Sequence, residues 1–62
     1  MIELRLLLKH LQANGCELLR EGAKHSVWMN IETERRTTVP RHRSIPRSTA
    51  RAICKQLGIP LI

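Results

Sequence analysis

His25 follows Gly22-Ala23-Lys24, His42 sits between Arg41 and Arg43, and His10 lies beside Lys9. An imidazole takes and returns protons near neutral pH, so acid–base chemistry in this chain is to be sought at these three positions. His25 is the strongest of them. The glycine three residues before it lets backbone approach a ligand closely, and Lys24 sets a cation beside it. The competing reading of His25 is a hydrogen-bonded strand residue without chemistry. His42 can exchange one hydrogen bond with a phosphate or a base, or it is simply solvated. Nothing around His10 suggests a constellation, and it reads as a surface or packing residue.

The chain has no Walker loop, no carboxylates paired for glycosidase-type work, no cysteine at a nucleophile's spacing from a histidine, and no cluster of metal ligands. Cleavage of RNA is the chemistry a lone histidine among cations can support, because the ribose 2′-hydroxyl of the substrate is itself the nucleophile. A base that removes the 2′ proton contributes about 10²- to 10⁴-fold. Arginine or lysine then stabilises the charge that builds at phosphorus. Such a mechanism calls for no metal and no other cofactor.

The cations that would bind the phosphates are segregated. All five carboxylates lie before position 35, whereas Arg35, Arg36, Arg41, Arg43, Arg47, Arg51 and Lys55 follow with no acid among them. A net charge of +6 concentrated in the second half is the footprint of a surface that meets a polyanion, most often nucleic acid. Membrane binding would want apolar side chains facing lipid beside the cations, which Trp28 alone does not supply. No apolar run approaches the ~20 residues needed to span a bilayer and no secretory leader is evident, so a cytoplasmic protein is expected.

A chain of 62 residues has room for one domain spanning residues 1–62 and one small core, burying roughly 60% of its unfolded surface. Cys16 and Cys54 lack a Cys-x-x-Cys spacing and read as buried thiols that pack as small hydrophobes.

These side chains need elements to position them. Leu4, Leu7, Leu8 and Leu11 mark one face of a helix from about residue 2 to 14, ended by Asn14-Gly15, with Leu6 pointing away. Residues 16–21 and 25–30 read as a hairpin about the Gly22-Ala23-Lys24 turn. In its second strand His25, Val27 and Met29 share one face, and Ser26, Trp28 and Asn30 the other. Thr37, Thr38 and Val39 favour a third strand over residues 35–39, stopped by Pro40. Residues 41–45 are expected to form a basic loop. Pro46 then occupies the first turn of a helix reaching Leu57, with Gly58 as its cap. On that helix Ala50, Ile53, Cys54 and Leu57 form the buried stripe. Arg47, Arg51 and Lys55 form a cationic ridge about 100° away, either a solvated flank or an anion-binding one. The expected fold is an α+β two-layer sandwich of order α-β-β-β-α, the order of double-stranded-RNA-binding domains, with both helices on one sheet face.

Three motifs in order, Gly22-Ala23-Lys24-His25, Thr38-Val39-Pro40-Arg41-His42 and Ile53-Cys54-Lys55-Gln56-Leu57-Gly58, resemble the successive motifs of HicA toxins. The likeness extends over nearly the whole chain. It implies a toxin of a type II toxin–antitoxin system, a messenger-RNA interferase with a fold like that of a double-stranded-RNA-binding domain. It implies that His25 is catalytic, that the enzyme needs no metal, and that a HicB-type antitoxin covers the active face. Two positions depart from the family pattern: Ala23 stands where serine is usual, and Cys16 where an aromatic residue often follows the helix-capping glycine. With the resemblance, Lys24, Arg41, His42, Arg43, Arg47 and Arg51 are the expected RNA-binding set. The alternatives are a non-catalytic module that binds structured RNA by shape and phosphate contacts, and a protein-interaction domain whose ridge docks an acidic antitoxin.

Overall fold

A computed structural model describes all residues, 1–62. Its elements are β1 (Ile2–Glu3), α1 (Leu4–Ala13), β2 (Cys16–Glu21), β3 (His25–Asn30), β4 (Arg36–Pro40), β5 (Ser44–Ile45) and α2 (Arg47–Leu57). The main sheet is antiparallel in the order β2-β3-β4, so both outer strands are edges. Pro40 is tolerated as the last residue of β4 because an edge strand needs no amide on its open side. With its two helices and three-stranded sheet, the molecule is the α-β-β-β-α sandwich that the periodicities predict.

The core lies between the helices and one face of this sheet. Leu7 and Leu11 of α1 and Ala50, Ile53, Cys54 and Leu57 of α2 bury against Cys16, Trp28, Val39 and Ile45. Leu4 and Leu8 pack partly buried at the edge of this cluster, and Leu6 remains exposed as its position on α1 demands. The inward face of β3 carries Ser26, Trp28 and Asn30, all buried, so polar groups enter the core and must be paired there. They are. The Trp28 Nε1–H donates to Ser26 Oγ at 3.1 Å, and Asn30 Nδ2 donates to the Leu57 carbonyl at 2.8 Å, fastening the end of α2 to the middle strand. Thr37 Oγ1 donates to Gln56 Oε1, a second tie between sheet and helix.

Three expectations are corrected. The first helix starts at Leu4, because Ile2 and Glu3 are extended and pair antiparallel with Ile45 and Ser44. The same pairing turns the end of the expected 41–45 loop into β5, and the Leu4 amide reinforces it by donating to the Arg43 carbonyl at 2.9 Å. Two-residue strands are too short to show a hydrophobic period. Third, Pro46 stands immediately before α2 rather than in its first turn: its ψ of 147° is extended, and its carbonyl accepts the first helical bond, from Ala50, at 3.1 Å. The other end of α2 closes as predicted. Gly58 takes a φ of 71°, the Ile59 amide donates to the Cys54 carbonyl and the Gly58 amide to that of Lys55, the paired bonds of a Schellman cap.

Candidate functional site

The turn that carries His25 is closed by backbone. The Gly22 amide donates to the His25 carbonyl at 2.7 Å, so residues 22–25 form a tight link between β2 and β3. Period-two alternation sends Trp28 inward and therefore His25 outward, onto the sheet face away from both helices. Its side chain is exposed, as are those of Lys24 and Ala23.

The second motif folds onto the first. His25 pairs with Pro40 across the sheet, which delivers Arg41 to the hairpin turn. There the Arg41 amide donates to the Lys24 carbonyl at 3.1 Å, its Nη1 donates to the Gly22 carbonyl at 3.0 Å, and its Nη2 lies 3.8 Å from the Glu21 carboxylate. An ion pair this exposed is worth only about 0–1 kcal/mol, so its consequence is geometric: the guanidinium is held beside the turn. Five N–H donors are available on an arginine, and these contacts leave others free for an anion.

His42 and Arg43 continue along the exposed loop from Arg41 towards β5. Because Thr37 meets Gln56 near the end of α2 and Pro40 leads through a short loop to its start, the first turn of α2 and the His25 turn lie at the same end of the sheet. Lys24, His25, Arg41, His42, Arg43 and Arg47 are thus gathered at one end of the molecule, and Arg51 follows one turn into the helix. Arg47 and Arg51 belong to the helical layer and the 22–25 turn to the sheet, so a ligand touching both must cross the 41–46 loop.

The helix start adds to the field. No acidic residue lies in the first turn of α2 and no side chain caps it, so its free amides and Arg47 present like charge to one another. A sequence selected for stability alone would place a carboxylate there.

Two residues outside the expected set share the face of His25. The ladder between β2 and β3 is bulged: Leu18 pairs with Trp28 but Arg20 with Val27, leaving Leu19 as the extra residue. Arg20 therefore lies on the His25 face, and Arg36, paired with Met29, lies there too. Together with Leu19 and Val27 they line a groove on the open side of the sheet. Arg20 belongs to the half of the chain without a positive excess, and the only signal that could have revealed it is a strand register that local sequence does not display.

His10, read as a surface or packing residue, has a structural role of that kind, since its Nε2–H donates to the Pro60 carbonyl at 2.6 Å and ties the tail to α1. Cys16 and Cys54 are both buried, and burial pushes both thiols above their ordinary range, with the nearby Cys54 adding to the rise at Cys16. No group of three or more His, Cys, Asp or Glu side chains is arranged to hold a metal ion. No helix is long and apolar enough to cross a membrane.

No curated protein and no solved structure matches the chain. A family model described as the HicA toxin of bacterial toxin–antitoxin systems matches residues 5–59, from the start of α1 to the cap of α2, and so covers every motif that builds this site. The chain belongs to the HicA toxin family.

Proposed function

We propose that this toxin is a metal-independent endoribonuclease that cuts messenger RNA and so blocks translation. His25 is the general base: it takes the proton of a ribose 2′-hydroxyl as that oxygen attacks the adjacent phosphorus. The bond from phosphorus to the 5′-oxygen then breaks, that oxygen takes a proton from solvent while the imidazolium returns its own to solvent, and the products are a 2′,3′-cyclic phosphate and a 5′-hydroxyl end. Lys24 and Arg41 stabilise the charge that develops on the phosphorane oxygens, while His42, Arg43, Arg47 and Arg51 hold the flanking backbone. A HicB-type antitoxin is the cognate partner, silencing the enzyme by covering this basic end, and the pair acts in the cytoplasm.

The observation that carries this reading is the closure of Arg41 on the Gly22–His25 turn, through the Lys24 and Gly22 carbonyls, beside an imidazole open to solvent. A nuclease site needs a base and a phosphate-binding cation near one another, and this closure supports giving those roles to His25 and Arg41. Buried in the core, the same imidazole would have no access to RNA.

The test compares purified wild type with His25→Ala on a defined messenger RNA in the presence of a chelator, with new 5′ ends mapped. Wild type is expected to cut and the variant to lose at least about 100-fold in rate. Equal cutting by both proteins removes His25 from the mechanism, and abolition by chelator alone removes metal independence.

A further inference from the structure

The bulge in β2 decides which charge lies on the His25 face of the sheet. With regular pairing beyond Leu18 and Trp28, Leu19 would oppose Val27, Arg20 would oppose Ser26 on the core side, and Glu21 would oppose His25 on the open face. The extra residue shifts the register, so Arg20 opposes Val27 and Glu21 opposes Ser26. A glutamate is thereby moved off the His25 face and an arginine placed on it.

We propose that the open face of the main sheet is a binding subsite for the single-stranded RNA that flanks the scissile bond, with Arg20 and Arg36 as phosphate ligands. The location of that bond rests on the nuclease reading; the binding of RNA to this face does not. Val27 lies two residues from His25 along β3, a step of about 7 Å, which is the scale of one nucleotide. The apolar Leu19 and Val27 and the cationic Arg20 and Arg36 line the groove together. The sole tryptophan is buried, so no aromatic ring besides the His25 imidazole is offered on this face. A base there rests on aliphatic side chains and on guanidinium planes, which contact any base and leave sequence choice loose. Glu17, opposite Met29 in the row that holds Arg36, is the one carboxylate among the ladder positions of this face and limits the track to the rows nearer His25.

The occupant is RNA rather than a second copy of the chain because the groove carries two arginines on a chain of net charge +6, which a second copy would repel and a polyanion complements. The probe is a 2′-O-methyl RNA oligonucleotide, which has no attacking hydroxyl, titrated against wild type, Arg20→Gln, Arg36→Gln and the double variant over a range of salt. Lys9→Gln, a change of equal charge on the exposed side of α1, is the control. Each arginine change is expected to weaken binding several-fold more than Lys9→Gln does and to lower the salt slope by about 0.7. Arg20→Lys and Arg36→Lys are expected to restore the slope, which separates loss of contact from loss of fold. Variants that bind no differently from Lys9→Gln overturn the subsite, even if they alter self-association or antitoxin affinity. Cutting of unmodified RNA is scored separately. If wild type cuts and the variants bind normally, the subsite falls and the nuclease stands; if wild type does not cut but the variants lose RNA, the reverse holds.

Discussion

Gly22 and His25 are joined by a 2.7 Å hydrogen bond from the amide of the first to the carbonyl of the second, and a Cβ on Gly22 would stand 2.8 Å from that same oxygen. The neighbour is backbone, which cannot swing aside as a flexible side chain could. The turn that presents the imidazole is thus closed only as long as position 22 has no side chain.

Gly22→Ala is accordingly expected to open the turn at a cost of about 1–3 kcal/mol. It should lower RNA cleavage by more than the loss of folded protein explains. Denaturant unfolding followed by Trp28 fluorescence gives the first quantity, and cleavage rates under conditions where the variant stays folded give the second. Wild-type cleavage at reduced stability would show that the turn geometry does not matter to the chemistry.

Arg47→Glu is expected to move stability and activity in opposite directions. Replacing a cation with a carboxylate in the first turn of α2 removes a like-charge contact with the helix dipole and adds an opposite one, a gain of about 0.3–1 kcal/mol. The same change places an anion on the proposed RNA path. Thermal unfolding and RNA binding on one preparation read both effects, and a variant that is more stable and binds RNA unaltered would take Arg47 out of the interface.

Asn30→Ala removes the buried amide that donates to the Leu57 carbonyl at 2.8 Å. An acceptor left unpaired in the core costs about 1–3 kcal/mol. In a domain of this size each kilocalorie lowers the melting temperature by about 4–8 °C. A melting temperature within error of wild type would mean that water replaces the lost donor.

The two buried thiols make stability depend on pH in the alkaline range. Burial raises the pKa of Cys16 and Cys54 from an ordinary 9.0, so the folded chain holds these protons more tightly than the unfolded one. The contribution is fully present below about pH 9, where both states are protonated, and is lost as pH rises through the raised values. Denaturation midpoints measured from pH 7 to pH 10 should therefore fall more steeply for wild type than for the Cys16→Ala, Cys54→Ala double variant. Parallel curves would assign the slope to other groups.

Several features were legible before any fold was known, because their physics is local. The leucine spacing of α1, the stripe and glycine cap of α2 and the alternation of β3 each repeat within a few residues. Alternation also separated His25 from Trp28, so once the tryptophan was buried the histidine had to face outward. The restriction of carboxylates to positions before 35 identified a basic surface without coordinates.

Pairing between distant segments was not legible. Ile2 meets Ile45 through a two-residue ladder, Arg41 closes on Gly22 only when β3 and β4 are in register, and Arg20 reaches the His25 face only because Leu19 is bulged. Composition and local periodicity thus determined the kinds of the longer elements, the cationic half and the placing of His25 and Trp28 on opposite faces of one strand. Tertiary structure alone decided which cations stand beside that imidazole, because a strand's register depends on its partner and a shift of one residue sends each side chain to the opposite face.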